Sequence, residues 1–166
     1  MSSSENRKMN RLRENYERLR EIFDVAITES DRYTIVYAYV VEARFRGSAI
    51  IRKKDCNCSS YILGFDAIEK EMILFPLKMS QGGVSCVQKV QGKDITFAKR
   101  NVISNEVIFH IRSNMRTRMR LCVKEETGSL VSPQIIAVTQ CKEVESFYQF
   151  YEHHILRKSE MGGLRI

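Results

Sequence analysis

The sequence predicts an α+β fold in which a strongly bent antiparallel β-sheet or barrel lies between an N-terminal and a C-terminal helix. Three observations predict it: a narrow apolar seam at helical spacing, many short segments bounded by turn residues, and a second helical stripe near the end. With 166 residues, of which 43% are hydrophobic, the chain can bury an ordinary core. We expect an amphipathic helix in residues 1–32, a β-rich part ending in a capping helix in residues 33–158, and a mobile tail in residues 159–166.

The first helix is predicted from Asn6 to Thr28. Its apolar residues alternate spacings of three and four, which makes a narrow seam along one face; they are Met9, Leu12, Tyr16, Leu19, Phe23 and Ala26. Two interpretations of this seam remain open. The helix packs on its own domain, or it forms an assembly seam for a protein partner or a homo-oligomer through Leu12, Tyr16, Leu19 and Phe23.

The middle of the chain is predicted to consist of strands separated by turns. From Tyr33 to Phe45, aromatic and β-branched residues recur at period two, which favours a long strand whose first half is apolar on both faces and therefore covered. The polar stretch Lys53 to Ser59 is predicted to be a connection. Further strands are predicted at Ala49 to Arg52, Ser60 to Phe65, Glu71 to Leu77, Val84 to Val90, Ile95 to Arg100, Asn105 to Ile111, Thr117 to Lys124 and Gln134 to Thr139.

The closing helix is predicted around an apolar stripe that begins at Val144 and ends at Ile155. Its members fall at helical spacing and require a cover; they are Val144, Phe147, Tyr148, Tyr151 and Ile155. We expect the helix to cap the sheet, with Phe147, Tyr148 and Tyr151 filling its mouth.

Two adjoining segments resemble the opening hairpin of bacterial pleckstrin-homology-like (PH-like) domains. They are Ser60-Tyr61-Ile62-Leu63-Gly64-Phe65-Asp66 and Glu71-Met72-Ile73-Leu74-Phe75-Pro76-Leu77. The resemblance extends from Ser60 to Leu156 and leaves Met1 to Arg52 outside it. It implies a seven-stranded, strongly bent sheet with a C-terminal capping helix, used to bind proteins or lipid head groups. The basic residues of the family's first hairpin loop are not matched, because Asp66 to Lys70 contains only Lys70.

Positive charge is concentrated in the predicted strands. The net charge is +7, and Tyr33 to Glu126 contains sixteen Lys and Arg against nine Asp and Glu. Arg116, Arg118 and Arg120 alternate with uncharged residues, so a strand would direct all three to one face, with Lys124 in the same parity. Guanidinium groups suit phosphate and carboxylate because their planar fork bonds both oxygens. This strand is the candidate anion- or partner-binding site.

The alternative for the basic strand is a solvated sheet face. Neighbouring guanidinium groups repel one another, so we expect a polyanion or an acidic side chain such as Glu106 to stabilise them. Arg112 joins the candidate set: Arg112 to Arg116 has the Arg-x-x-x-Arg spacing that resembles cyclic-dinucleotide-binding PilZ domains, although the second element of that family is not matched.

Motifs for catalysis and metal binding are missing from the sequence. The five cysteines form no Cys-x-x-Cys pair and are expected to be reduced thiols. His153 and His154 are adjacent, so they cannot act as an i,i+4 ligand pair on a helix. Carboxylates near a predicted turn are expected to be solvated; they are Asp66, Glu69 and Glu71. We therefore expect no enzymatic activity, no cofactor and no metal.

The sequence thus predicts a non-enzymatic binding or adaptor module, bacterial and cytoplasmic. It contains no apolar run of about 20 residues for a membrane span and no secretory signal. Two partner classes remain open. The first is a protein partner, held by the first helix or by a sheet edge, or an anionic ligand. The second is a nucleic acid or an anionic membrane, held by the basic strand of Arg116, Arg118 and Arg120.

Overall fold

A computed structural model describes residues 3–46, 53–77, 87–112, 117–128 and 134–156. In these residues the fold is α+β, as predicted. Short 3₁₀ turns at Ser30–Arg32 and Gly92–Asp94 precede the first and fifth strands, and a π-helical segment, Tyr151–Leu156, continues the second helix. The main elements are α1 (Ser3–Ala26), β1 (Thr34–Arg46), β2 (Lys53–Asp66), β3 (Glu71–Leu77), β4 (Gln88–Gln91), β5 (Ile95–Asn101), β6 (Glu106–Ile111), β7 (Thr117–Cys122) and α2 (Cys141–Phe150).

The strands form one antiparallel sheet in the order β4-β3-β2-β1-β7-β6-β5. The central strand, β1, pairs with β2 over thirteen residue pairs but meets β7 only at Tyr39 and Cys122. The outer strands, β4 and β5, do not pair with each other in the described ranges. The sheet is therefore open and does not form a closed barrel there.

One face of the sheet is covered by α2 and its π-helical continuation. Both predicted helices exist, although α2 begins at Cys141, three residues before the predicted apolar stripe. Phe147 and Tyr151 are completely buried, and Tyr148 is only 8% exposed. These rings pack against apolar residues of the sheet, as expected for the capping stripe; the sheet residues include Leu63, Phe65, Met72, Phe109 and Leu121.

The opposite face of β1, β2 and β3 is covered by α1. Tyr16, Leu19 and Phe23 pack against apolar residues of these strands, which include Ile35, Tyr37, Ile62, Ile73 and Phe75. The first half of β1 is thus covered on both faces, as expected. All four residues of the predicted assembly seam lie inside this chain, with exposures of 5% or less for Leu12, Tyr16, Leu19 and Phe23. An assembly surface on α1 would have to use other side chains.

Polar contacts hold α1 and its connection to β1. The Tyr16 hydroxyl donates to the Ile35 carbonyl oxygen at 3.0 Å. The Arg20 guanidinium donates to the carbonyl oxygens of Tyr33 and Ser30 at 2.6 and 2.8 Å. Because these carbonyl oxygens belong to the connection and to β1, the side chains of α1 are hydrogen-bonded both to the connection and to the strand that follows it.

Two predictions about strands are wrong. Lys53 to Ser59, predicted to be a connection, is the first half of β2, because β1 supplies a continuous hydrogen-bonding partner for this polar stretch. Gln134 to Thr139, predicted to be a strand, forms only an isolated bridge between Thr139 and Glu126. Its backbone is bound by side chains instead: the Ile136 N–H donates to the Tyr37 hydroxyl, and the Val138 N–H to the Thr127 hydroxyl.

The hairpin that carries the PH-like resemblance is the second hairpin of the sheet, not the first. It is formed by β2 and β3, whereas the sheet opens with β1, which lies in the part that the resemblance left out. Residues 67–70 are therefore the second turn. The turn of the first hairpin, the predicted strand Ala49 to Arg52 and the predicted mobile tail lie outside the described residues.

Candidate functional site

The outer side of β5, β6 and β7 is not covered by α1. Alternation directs Val107, Phe109 and Leu121 into the core beneath α2 and their neighbours to the other side. The side chains of that other side are half-buried or exposed, in contrast to those of β1, β2 and β3. We call this surface the basic face; it consists of Phe97, Lys99, Ile108, His110, Arg112, Arg118 and Arg120.

A β-bulge puts Phe97 on this surface. Ile95 points into the core, so strict alternation would bury Phe97 as well. The register shifts between Ile95 and Phe97, and the shift reverses the alternation, so that Ala98 packs on the core. Phe97 is consequently 42% exposed on the outer side.

Phe97, His110 and Arg118 form one row across the three strands. His110 lies opposite Phe97 on β5 and opposite Arg118 on β7. The Phe97 and His110 rings contact each other, with centroids 4.9 Å apart and planes tilted by 42°. Arg118 is exposed and forms no ion pair with the described residues. The row therefore combines an aromatic pair with a cation that no carboxylate of the described residues neutralises.

Lys99, Ile108 and Arg120 form the next row. Arg120 donates from Nε and Nη2 to the two carboxylate oxygens of Glu106, both at 2.9 Å. The hydrogen bond from Arg120, together with one from the Ser104 hydroxyl, holds the pKa of Glu106 below its ordinary value, although partial burial opposes the shift. The expected pairing of Glu106 with the basic strand is confirmed. Lys99, by contrast, has no carboxylate partner in this part of the structure.

The predicted site residues are brought together only in part. Arg112 follows β6 on the outer side and is exposed, and its backbone N–H donates to the Asp94 carbonyl oxygen at 2.6 Å. Arg112, Arg118 and Arg120 therefore share the basic face. Lys124 lies past the end of β7 and lines a groove beside α2. Arg116 lies outside the described residues.

The groove beside α2 has a volume of about 810 Å³ and contains Arg100 and Tyr148. The Arg100 guanidinium carbon lies 3.8 Å from the centre of the Tyr148 ring, and Arg100 also pairs with Glu152. Burial raises the pKa of Tyr148 to about 12, so the phenol stays neutral and donates to the Val123 carbonyl oxygen at 2.7 Å. The charges that line the groove nearly balance and do not select an anion; they are Arg100, Lys124, Lys142, Glu125, Glu126, Glu145 and Glu152.

A second polar cluster, which sequence reasoning missed, surrounds the turn between β2 and β3. Asp66 and Glu71 are buried, with exposures of 5% and 2%, so the prediction that they are solvated is wrong; only Glu69 is exposed. The Glu71 carboxylate accepts hydrogen bonds from the Arg32 guanidinium and the Tyr33 hydroxyl. The Lys89 ammonium nitrogen lies 2.8 Å from Glu71 Oε2. This cluster links the residues just before β1 to β3 and β4. It could not be predicted from the sequence, because the interacting residues are far apart along the chain.

Groups of three or more His, Cys, Asp and Glu residues that could hold a metal ion are not found in the described ranges. None of the helices there is both long and apolar enough to span a membrane. Comparisons with family models, with curated proteins and with solved structures find no match to this chain.

Proposed function

We propose that this protein is a non-enzymatic binding module on a PH-like fold and that it engages an anionic ligand through the basic face. The proposal rests on a difference in burial among the residues whose burial the structure describes. There α1 covers the outer side of β1, β2 and β3, whereas the outer side chains of β5, β6 and β7 are half-buried or exposed. The open part presents Lys99, Arg112 and Arg118 without carboxylate partners among the described residues. Clustered cations of this kind raise the local potential and attract an anion.

Two further features support the proposal. An antiparallel sheet followed by a helix that packs on one face agrees in outline with the architecture that the resemblance implied, although one of the seven strands, β1, lies outside the range of the resemblance. The thiols of Cys58, Cys122 and Cys141 are free, which favours a reducing compartment such as the cytoplasm.

Heparin affinity chromatography tests the location of the site. The first variant carries Lys99→Ser, Arg112→Ser and Arg118→Ser, and the matched control carries Arg7→Ser, Arg11→Ser and Arg18→Ser on the exposed side of α1. Both lose the same number of positive charges. We expect the first variant to elute at clearly lower salt than the wild-type protein and the control to elute close to it, because only the first removes cations from the basic face.

Equal shifts for the two variants would show that retention follows the net charge and not this face, and the proposal would then be wrong. Circular dichroism and thermal unfolding of all three proteins verify that the comparison is between folded chains.

A protein partner is a second candidate, favoured by the first hairpin. Beyond Tyr39 and Ser60, β1 and β2 continue for seven more residue pairs. In the described residues this arm has no further strand on either side, and exposed strand edges accept a strand from another chain. Joining Val41 to Cys58 through an Asn-Gly turn removes most of the arm. The shortened variant and the wild-type protein are then compared in an affinity pull-down at high salt. Loss of a protein that the wild type captures would support this candidate, and unchanged capture would exclude the arm as the binding site.

A further inference from the structure

We propose that the anionic ligand of the basic face is a single-stranded nucleic acid, with one base stacked on the Phe97–His110 pair and its neighbouring phosphates bound by Arg118, Lys99 and Arg112. The inference rests on the proposed function and names the ligand class of the same surface. It starts from the aromatic pair, which an inorganic anion or a carboxylate would leave unused.

The two rings are held in place on the sheet. The residues that follow Phe97 and precede His110, Ala98 and Phe109, pack on the core, so the ring pair cannot turn inward. The register shift between Ile95 and Phe97 brings Phe97 out beside His110. An exposed ring fixed in this way offers a flat surface to a base, and stacking tolerates any base because each has a π-face.

Cations surround the ring pair on three sides. Arg118 lies next to His110 on the neighbouring strand, about 4.8 Å away across the sheet. Lys99 and Arg112 lie two residues along the strands from Phe97 and His110, which corresponds to about 7 Å. Sites for single strands combine a cationic groove with aromatic platforms in this manner. The phosphates on either side of a stacked base therefore meet positive charge.

Other polyanions fit this arrangement less well. A base in a duplex is already stacked and paired, so its face is not available to the rings without flipping. A lipid head group such as phosphatidylserine carries charge but no flat ring, so it would leave the Phe97–His110 pair unused. A single strand is the ligand that uses the rings and the cations together.

Fluorescence anisotropy of the full chain with labelled rU15 and dT15 oligonucleotides tests the stacking. Phe97→Ala should weaken binding roughly 5- to 150-fold, the range for loss of one base–aromatic stack. Phe97→Tyr keeps a ring at the same position and should restore the affinity. Ile103→Ala, at a position that is 97% exposed on the turn between β5 and β6, is the matched control and should bind like the wild-type protein.

The dependence on salt measures the phosphate contacts separately. Three contacts to a single strand predict a slope of log K against log salt of about −2, or a loss of roughly 20-fold between 50 and 200 mM. Arg118→Ser should reduce the slope by about 0.7 and leave the relative effect of Phe97→Ala unchanged. Stacking and charge are thus read from different measurements.

Four results would overturn the inference, and they separate it from the proposed function. If Phe97→Ala binds the oligonucleotides like the wild-type protein, or if a duplex binds equally well, the face recognises phosphate alone. If vesicles of phosphatidylcholine with phosphatidylserine bind and the oligonucleotides do not, the ligand is a lipid surface. In each of these cases the protein still binds an anion, and the heparin comparison of the two triple variants decides whether the basic face holds it. If heparin, oligonucleotides and vesicles all fail to bind, both proposals are wrong.

Discussion

Gln140 binds the backbone of Tyr37 with both ends of its side-chain amide. The Tyr37 N–H donates to Oε1 at 2.7 Å, and Nε2 donates back to the Tyr37 carbonyl oxygen at 2.9 Å. Nε2 also donates to the Lys124 carbonyl oxygen at 2.8 Å. Since β1 and β7 pair only at Tyr39 and Cys122, this amide replaces the missing part of their ladder. This completely buried side chain therefore adds three hydrogen bonds to the one backbone pair that joins the two halves of the sheet.

The first prediction concerns Gln140→Leu, which keeps the approximate volume but removes the amide. Buried backbone groups of Tyr37 and Lys124 then lose their partners, and each such group costs about 1–3 kcal/mol. We expect the free energy of unfolding in urea to fall by about 3 kcal/mol. Gln149→Leu, at an exposed position of α2, is the control and should change it by less than about 0.5 kcal/mol. Equal changes would contradict the role of the amide.

The second prediction concerns the contact between Gly64 and Phe23. A Cβ atom at Gly64 would lie 2.4 Å from Phe23 Cζ, closer than real contacts allow. Gly64→Ala should therefore lower the free energy of unfolding by about 1–3 kcal/mol through overpacking. Gly128→Ala is the matched control, because nothing lies within 4 Å of the added carbon there. Combining Gly64→Ala with Phe23→Leu should cost less than the sum of the two changes, since the clash is then relieved.

The third prediction compares two carboxylates of one turn. Glu71→Gln removes the buried charge that binds Arg32, Tyr33 and Lys89, and hydrogen bonds to a charged group contribute about 1.5–3 kcal/mol. We expect a loss of about 2 kcal/mol in the free energy of unfolding, because Lys89 and Arg32 remain in contact with solvent. Glu69→Gln, on the exposed tip, should be close to neutral. A similar loss in both variants would mean that the cluster does not hold the turn.

The fold was predictable from the sequence where the signal is local. The stripes of α1 and α2 and the pair of strands β2 and β3 follow from spacing alone, because each pattern is contained within one or two elements. The first half of β2 could not be predicted in this way, since Lys53 to Ser59 is polar and becomes a strand only through pairing with β1. The bond between Gln140 and Tyr37, which are 103 residues apart, also has no local signal.

The candidate site was predictable to a similar extent. Period two placed Arg118 and Arg120 on one face, and the partnership with Glu106 followed from the neighbouring strand. Phe97 could not be assigned to that face, because simple alternation from Ile95 directs it inward and only the bulge reverses it. The contact of Phe97 with His110 depends on the same register shift. The contact between Phe97 and His110, on which the proposed ligand class rests, could therefore not be predicted, because it depends on one extra residue in β5.

The fourth prediction concerns the stability of the pair formed by Glu106 and Arg120. Arg120 lowers the pKa of Glu106, so the pair contributes fully above the ordinary carboxyl pKa of 4.5 and the contribution is lost as the pH falls through the lower folded-state value. Because Arg120 is largely exposed, the contribution is at most about 0.5 kcal/mol. The difference in unfolding free energy between wild type and Glu106→Gln should be present at pH 7 and diminish as the pH falls below 4.5. A difference that stays constant on acidification would have another origin.

The fifth prediction uses the same variant to change binding. Glu106 neutralises Arg120 at present, so Glu106→Gln should release that guanidinium and add one cation to the basic face. With rU15 as the probe, we expect tighter binding at 50 mM salt and a slope of log K against log salt that is steeper by about 0.7. Glu145→Gln on α2 makes the same change in net charge at an exposed position away from this face. An equal gain in affinity for both variants would show that net charge alone governs binding, whereas a gain limited to Glu106→Gln places the ligand against Arg120.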